Sequence, residues 1–456
     1  MGGPGGPHHG LMDPAAVTAV ADALHAVPGR SAVVLAVSGG PDSTAMAHLV
    51  TAARPDLTAC VIHICHGLRD DREDEAAARA HAQSLGLAFR SLRVSVRPAG
   101  TGPEDAARRA RMAALATAAR EHHASFVCTG HTADDQAETV LLNLARGAGL
   151  SGLAGIPAVR ALDNGVWLVR PLLGLRRSVA RAVADATGLP VAVDPSNDDP
   201  GPRRNRARHD VLVRLASLTG GGTDPVDALA RAAAHARRDA AALDSIAEAA
   251  AAQTVVRWGP VRAVPTPALD GLPAAIAGRV VQRLLSDGGA APAQSAVEAV
   301  LGMRDGHAAT LAGGTDASRG GGWLAVMARD APALPPRELA GDRARVPELG
   351  IVVTRDDGGD AGVLPPWAPE RSTDRVRVAA GARLIVRRRC TGDRVTTAGG
   401  TRSLADAMAD AGVPRVARGH VPVVADDDGI LWVPGVAVRA GAEGSTAVVL
   451  RPDVGQ

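Results

Sequence analysis

The sequence predicts an α/β protein, in which a doubly wound parallel sheet precedes a helical domain and a small α+β C-terminal domain. Two observations predict the sheet. Short apolar, β-branched runs alternate with helix-like segments through residues 14–218, as in parallel sheets covered by helices on both faces. The first run, 33–37, breaks into Ser-Gly-Gly-Pro-Asp-Ser at 38–43, and a helical apolar pattern follows.

The elements of this first domain follow from the apolar runs and from the residues that interrupt them. Gly86 and Gly147 end helices, and Pro103 opens one, with Glu104 and Asp105 suited to its first turn. The predicted strands are 32–37, 57–64, 88–96, 125–129, 165–169 and 190–193. The predicted helices are 14–27, 45–53, 71–85, 103–123, 134–146 and 176–187.

The remainder of the chain divides into shorter regions. Residues 1–13 are predicted to be a disordered tail, and the Gly-rich stretch 219–224 is a linker that ends the first domain, 14–218. A helical spacing of apolar residues predicts a long helix over 225–254, within a helical middle domain at 225–305. Gly- and Pro-rich residues 306–375 are predicted to form an irregular connecting region, and 376–456 a final module of strands and a helix.

Composition excludes several classes of protein. Apolar residues make up 46% of the chain, enough for real cores, and a net charge of +2 does not by itself indicate nucleic-acid binding. The chain contains no lysine, which excludes a Schiff-base mechanism. The cysteines are far apart and form no Cys-x-x-Cys, so we expect buried thiols rather than a metal site or disulfides: Cys60, Cys65, Cys128 and Cys390.

The same composition bears on location. No apolar run is long enough to span a membrane, so we expect no membrane partner. The N-terminal residues lack a hydrophobic signal region, which predicts a cytoplasmic protein.

The loop 38–43 has the chemistry of a phosphate site. Gly39 and Gly40 let the backbone turn tightly and approach a ligand. The N–H groups and dipole of the following helix favour an anion, and the hydroxyls of Ser38 and Ser43 add donors. The pattern is neither a Walker loop, which needs a lysine, nor Gly-x-Gly-x-x-Gly. The alternative is a Gly-rich turn that only caps a helix.

A second group of polar residues follows the strand predicted at 125–129. Asp135 and Glu138 lie three residues apart, on one face of a helix. Two carboxylates placed there can hold a cationic group and accept a proton from an amine. The alternative is that Asp134 caps the helix and Glu138 is surface charge. Both interpretations stay open on these residues alone.

Taken together, these motifs resemble those of the tRNA(Ile)-lysidine synthetase family of PP-loop ATP pyrophosphatases, whose fold is adenine nucleotide alpha hydrolase-like. The Ser-Gly-Gly-x-Asp-Ser loop resembles the PP-loop. The resemblance extends to His-x-x-Asp-Asp-Gln-x-Glu-Thr at 131–139 and His-Ile-Cys-His-Gly-Leu-Arg at 63–69. It also covers 107–112, 149–152, 170–173, 194–197 and 204–208, together with the Leu-Trp-Val-Pro-Gly of the last module, 431–435.

The resemblance implies a reaction. ATP would activate the C2 carbonyl of the wobble cytidine in a tRNA(Ile) with a CAU anticodon, and free L-lysine would displace AMP to give lysidine, with pyrophosphate released earlier. The implied partners are that tRNA and lysine, and the implied cofactors are ATP and Mg²⁺. The oligomeric state stays open, with a homodimer among the alternatives.

The resemblance also implies roles for individual residues. The ATP-binding set is Ser38, Gly39, Gly40, Pro41, Asp42 and Ser43, with Asp42 also a candidate Mg²⁺ ligand. The catalytic set is Asp42, Arg111, Asp135 and Glu138. Lysine and cytidine would contact His66, His131, Asp134, Asp135, Gln136, Glu138, Arg204 and Arg208. The tRNA would contact Arg176, Arg177, Arg388, Arg415 and Arg418.

The sequence departs from the family motifs at two positions, and three alternative functions remain. Met112 stands where the family has a tyrosine, and Thr132 where a second histidine is common. A tRNA thiolase is the main rival, but such enzymes need paired or catalytic cysteines. A PP-loop amide-forming ligase is disfavoured because glutaminase machinery is absent. A non-enzymatic RNA-binding module is the third alternative.

Overall fold

The computed structural model describes residues 13–65, 71–94, 103–192, 203–218, 222–287, 293–339, 341–355, 362–369 and 372–453. These divide into two compact units, one up to Ala241 and one from Ala242. The division falls within a long helix, α10 (Pro225–Thr254), which matches the predicted bounds. In the described part of the chain, no helix is both long and apolar enough to cross a membrane.

The first unit is built on a six-stranded sheet, with strand order β3-β2-β1-β4-β6-β5. Its strands are β1 (Ala32–Ala36), β2 (Thr58–Cys65), β3 (Ala88–Arg93), β4 (Phe126–Thr129), β5 (Val159–Asp163) and β6 (Val166–Val169). The first four strands and β6 pair in parallel, which confirms the predicted parallel sheet. The edge strand β5 is antiparallel to β6 and was not predicted, and residues 190–192 form no strand.

Helices cover both faces of this sheet. They are α1 (Pro14–Ala23), α2 (Pro41–Ala53), α3 (Arg72–Ser84), α4 (Pro103–Glu121), α5 (Ala133–Leu144), α6 (Leu150–Leu153), α7 (Arg177–Ala186), α8 (Arg203–Arg206) and α9 (Leu212–Leu218), with a π-helical segment at Ala207–Val211. Successive strand residues point to opposite faces, so Val33 and Leu35 join one core and Val34 joins the other. Because both cores are apolar, β1 is a continuous apolar run.

The second unit begins with a sheet packed on helices. Strands β7 (Val256–Trp258), β8 (Val261–Pro265), β9 (Ala308–Leu311), β10 (Thr315–Gly320) and β11 (Trp323–Ala328) form a five-stranded sheet in the order β7-β8-β11-β10-β9. The helices are α11 (Thr266–Asp270), α12 (Ala274–Asp287) and α13 (Gln294–Leu301). Val280 and Val297 of the helices share a core with Val264 and Leu324 of the sheet.

The predicted irregular region at 306–375 is therefore wrong, because several strands lie within it. The turn between β10 and β11 is Gly321-Gly322, and both residues have positive φ, +63° and +81°. Two such residues suit the tight turn of a hairpin, and Gly320 pairs directly with Trp323 across it. Gly321 and Gly322, two of the glycines that suggested irregular structure, are the turn residues of an ordered hairpin.

The rest of the second unit is a small α+β module, which confirms the predicted class of this domain. The module begins at Arg337 rather than at residue 376, because the strands Arg337–Glu338 and Ile351–Arg355 pair with later strands of the module. Its strands are β12 (Arg337–Glu338), β13 (Arg343–Val346), β14 (Ile351–Arg355), β15 (Arg375–Val378), β16 (Ile385–Arg387), β17 (Arg394–Thr397), β18 (Gly400–Ser403), β19 (Val423–Asp426), β20 (Gly429–Val433), β21 (Ala437–Val438) and β22 (Thr446–Pro452). Helix α14 (Leu404–Asp410) and a 3-10 helix at Arg415–His420 complete it. Trp432, fully buried, lies in the apolar core of this module.

Candidate active site

The loop 38–43 joins β1 to α2 at the carboxyl edge of the sheet, where parallel α/β folds bind ligands. Gly39 has φ +92°, and a Cβ there would lie 2.4 Å from the carbonyl oxygen of Asp74. Only glycine fits this position. The loop is held by Ser43, whose Oγ accepts from the Ser38 N–H at 3.0 Å and donates to the Gly40 carbonyl at 2.9 Å.

A second close approach brings the end of β4 against this loop. A Cβ on Gly130 would lie 2.7 Å from the carbonyl oxygen of Asp42. The chain after β4 therefore packs directly on the first turn of α2. As a result, the two motifs singled out in the sequence, 38–43 and 131–139, lie side by side.

One guanidinium connects the carboxylates of both motifs. Arg177 donates from Nε to Asp42 Oδ2 at 3.2 Å, from Nη2 to Asp135 Oδ1 at 3.0 Å and from Nη1 to Glu138 Oε1 at 3.3 Å. Its backbone N–H donates to Asp134 Oδ2 at 2.8 Å. We call Asp42, Asp135, Glu138 and Arg177 the carboxylate cluster. The alternative in which Glu138 is surface charge is wrong, since this side chain is fully buried.

Glu138 is the most enclosed member of the carboxylate cluster. Its Oε1 also accepts from Arg208 Nε at 2.7 Å. Its Oε2 is buried and has no hydrogen-bond partner among the described residues. A buried carboxylate oxygen without a partner carries a free-energy cost, which a cationic ligand that contacts it would remove.

Asp42 also has a carboxylate oxygen without a hydrogen-bond partner among the described residues. Its Oδ1 is buried and unpartnered within the described chain. Burial raises the pKa of Asp42 to about 6, the neighbouring Asp135 adds to that rise, and Arg177 opposes it. Carboxylate oxygens are ligands that Mg²⁺ prefers, usually with phosphate oxygens and water completing the shell. Asp42 therefore fits a magnesium ion held jointly with a bound triphosphate, although no larger metal-ligating group occurs in the described residues.

Asp135 is kept ionised by its surroundings. Burial alone would raise its pKa, but Arg177 and the hydrogen bonds from Thr132 outweigh burial and hold the pKa below the ordinary value. The Thr132 backbone N–H and hydroxyl both donate to Asp135 Oδ2, at 2.8 and 3.0 Å. Asp135 is thus also the capping-box residue of α5, which fixes its position.

His131 is influenced by several arginines of the first unit. Its Nδ1 is 3.0 Å from Thr129 Oγ1. Burial lowers the pKa of His131 to about 4; Asp135 opposes that fall, while Arg170, Arg108 and Arg204 add to it. The imidazole is therefore neutral at physiological pH and suited to hydrogen bonding rather than to charge pairing.

The other predicted residues occupy varied positions. Arg111 lies on α4 with a solvent-exposed side chain and forms no ion pair with the described residues, although burial of its guanidinium lowers its pKa. Gln136 is engaged by the backbone: Ile156 N–H donates to its Oε1 at 2.6 Å, and its Nε2 donates to the Ala154 carbonyl at 3.2 Å. That amide secures the turn after α6. His66 lies outside the described residues.

Two arginines that were predicted to contact tRNA, Arg176 and Arg177, form ion pairs with carboxylates of the first unit. Arg176 pairs with Asp224 at 2.9 Å and Asp227 at 3.2 Å, and Arg177 lies in the carboxylate cluster. Sequence reasoning missed this role, although one feature indicated it. Both arginines stand at the N-terminus of α7, where the helix dipole disfavours positive charge, so carboxylates must hold them there.

The predicted tRNA contacts of the C-terminal module are different. Arg388 and Arg415 are exposed, and Arg418 is half-buried. Burial and the charges of Arg389 and Arg415 lower the pKa of Arg418, and the carboxylate of Asp406 opposes that fall. This group of like charges, Arg389, Arg415 and Arg418, is here called the basic patch.

Comparison with known proteins agrees with this geometry. A family model described as a PP-loop domain matches residues 13–215, and one described as the TilS substrate C-terminal domain matches 384–451. A tRNA(Ile)-lysidine synthase of Symbiobacterium thermophilum is 36% identical, with 89% of each chain covered. One from Salinispora arenicola is 41% identical over 69% of this chain and 96% of its own.

One solved structure shows a limited likeness to this chain, in its fold alone. A U34-tRNA thiolase of Methanococcus maripaludis aligns with a TM-score of 0.41 and 19% identity, covering 48% of this chain and 78% of its own. A likeness at that level carries no argument about activity. The PP-loop match, the C-terminal match and the identity across nearly the whole chain together show that the chain belongs to the tRNA(Ile)-lysidine synthase family.

Proposed function

We propose that this protein converts the wobble cytidine of a tRNA(Ile) with a CAU anticodon to lysidine, using ATP and free L-lysine. The observation that carries the proposal is the carboxylate cluster beside the loop 38–43. Because the carboxylate cluster lies next to this loop, it supports a site that binds a cationic amine beside a triphosphate. The similar proteins are named tRNA(Ile)-lysidine synthases, and we propose the same tRNA as the substrate of this chain.

The first step is adenylation of the base. The C2 oxygen of cytidine attacks the α-phosphorus of ATP, and pyrophosphate leaves. Loop 38–43 and the N-terminus of α2 hold the phosphates through backbone N–H groups. When bound, Mg²⁺ would neutralise phosphate charge, with Asp42 the residue best placed to hold it. Arg111, exposed and without an ion pair to the described residues, is suited to the charge that develops at the α-phosphate.

The second step forms the carbon–nitrogen bond. The substrate ammonium first gives up a proton, the neutral amine nitrogen then attacks C2, and the bond from C2 to the AMP oxygen breaks so that AMP leaves. Asp135 and Glu138 bind the ammonium, with the open Oε2 of Glu138 as a direct acceptor. One of these carboxylates accepts that proton before the attack, because the pair lies beside the nitrogen that must be deprotonated.

The RNA must also be held. The basic patch offers guanidinium groups that suit phosphate contacts, which position a nucleic acid without reading its sequence. Neutral His131 and the nearby charge of Arg204 suit hydrogen bonding to the cytidine or to its adenylate. Because tRNA, ATP and lysine meet in the cytoplasm, we place the reaction there. A homodimer remains a proposal that light scattering tests directly.

The thiolase alternative is disfavoured by the state of the cysteines. Sulfur transfer requires accessible thiolates or a cluster. Cys65 and Cys128 are buried, and burial raises the pKa of Cys128 to about 12. Cys60 has its pKa raised for the same reason, and Cys390 is exposed but has no second cysteine near it in the sequence.

The test is incorporation of labelled lysine, together with pyrophosphate release, by the purified protein with ATP and Mg²⁺. The substrate is tRNA(Ile) with CAU, and the matched control is the same tRNA with uridine at the wobble position. We expect lysine incorporation that needs cytidine and ATP, with equimolar pyrophosphate. Pyrophosphate release without lysine incorporation, from folded protein, would contradict the proposal.

A further inference from the structure

Arg177 is placed to act on two substrates at once. It is the residue that joins loop 38–43 to the carboxylates of α5, through three different nitrogens to three carboxylates. Nε points to Asp42, on the ATP side. Nη1 and Nη2 point to Glu138 and Asp135, on the side where the proposed lysine ammonium binds.

The charges of the site support an exchange of cations. Asp42, Asp135 and Glu138 are three carboxylates, and among the described residues Arg177 and Arg208 are the guanidinium groups that form ion pairs with them. The group is therefore one negative charge in excess, which a single substrate ammonium would neutralise. Glu138 offers that ammonium its unpartnered Oε2, but the oxygen that Asp135 can offer, Oδ1, is the one that Nη2 of Arg177 now occupies.

We propose that Arg177 is a positioning residue that couples lysine binding to ATP binding. In the lysine-free protein, its guanidinium fills the place of the substrate ammonium. When lysine arrives, the ammonium takes over Asp135 and Glu138, and the released guanidinium turns toward the phosphates beside Asp42. Lysine thereby strengthens ATP binding, and ATP strengthens lysine binding by the same factor. This inference rests on the proposed function, because it needs lysine as the amine.

The coupling is measured by calorimetry on the full chain, without tRNA. The probes are L-lysine and α,β-methylene-ATP, which cannot release pyrophosphate. For wild-type protein we expect saturating lysine to lower the Kd of the nucleotide about fivefold or more. An unchanged Kd, in protein that binds both probes, would overturn the inference.

The variant Arg177→Gln separates coupling from a structural role. With the guanidinium gone, lysine no longer competes with an internal cation, so its Kd falls about threefold or more, whereas the added negative charge raises the nucleotide Kd about fivefold or more. Lysine should no longer affect nucleotide binding. Arg177→Lys keeps the charge and should restore part of the nucleotide affinity. Weaker binding of both probes would mean a structural role and would overturn the inference.

A matched control lies on the same helix. Arg181 is one turn further along α7 and mostly exposed, with a side-chain exposure of 61%. Arg181→Gln should bind both probes and retain their coupling. If Arg177→Gln does not fold, the wild-type coupling measurement still decides the question. Failure of wild-type protein to bind lysine at all would instead refute the proposed function.

Discussion

Replacing Asp42 by Asn should stabilise the protein at neutral pH while abolishing its activity. Burial raises the pKa of Asp42 from an ordinary value of 3.8 to about 6, in spite of its ion pair with Arg177. The folded protein therefore holds this proton more tightly than the unfolded chain does. Ionising the group in the folded state costs free energy, which is the physical meaning of the raised pKa.

The magnitude and the sign follow from that shift. Each pKa unit corresponds to about 1.4 kcal/mol, so ionised Asp42 costs the folded state about 3 kcal/mol, and about 2 after solvent screening of its partly exposed side chain. A raised folded pKa gives stability that is complete below 3.8 and is lost as pH rises through 6. Asn does not titrate, so the advantage of Asp42→Asn grows through that window.

The assay is urea unfolding from about pH 4 to about pH 8, in chelator without nucleotide, followed by pulse proteolysis. Fragments from the first unit report the unfolding of the region that contains Asp42. Asp185→Asn, an exposed carboxylate on α7 with a side-chain exposure of 60%, is the matched control and should show no such trend. An Asp42→Asn advantage that stays constant or shrinks as pH rises would refute the reasoning, since it would mean that the Arg177 ion pair outweighs burial.

Three further predictions concern the same site. Gly39→Ala should cost about 1–3 kcal/mol of stability and most nucleotide affinity, because φ is +92° and the added Cβ meets the Asp74 carbonyl; normal α,β-methylene-ATP binding in calorimetry would contradict this. Glu138→Gln should raise the KM for lysine about tenfold or more, with a smaller change for ATP; equal losses in steady-state kinetics would count against its role. His131 should titrate near pH 4 by NMR, so its contribution to stability is present above pH 6.5 and lost as pH falls from 6.5 toward 4; titration near 6.5 would show that it is not desolvated.

Much of the site could be predicted because its chemistry is local in sequence. Gly39, Asp42 and Ser43 follow one another, and their strand–turn–helix context is visible from apolar spacing alone. Asp135 and Glu138 were likewise predicted to share a helix face, and the structure places both against Arg177. Because each motif follows a strand of the same parallel sheet, the two motifs lie at the carboxyl edge of that sheet.

What could not be predicted depends on contacts between residues distant in sequence. Arg177 lies 135 residues from Asp42, and no pattern of spacing specifies that pair. The enclosure of Glu138 depends on Arg208, 70 residues away, and on the packing of α5. Strand β5 was not predicted because it lies at the edge of the sheet, where its residues alternate between exposed and half-buried positions. It therefore lacks the continuous apolar run that marks an inner strand.

The most direct measurement of the central claim is transfer of labelled lysine to tRNA(Ile) with a CAU anticodon, with purified wild-type protein, ATP and Mg²⁺. We expect one lysine per tRNA, on the wobble base, with one AMP and one pyrophosphate formed for each lysine transferred. No transfer by folded protein that binds ATP, or transfer that persists when the wobble cytidine is replaced by uridine, would contradict it.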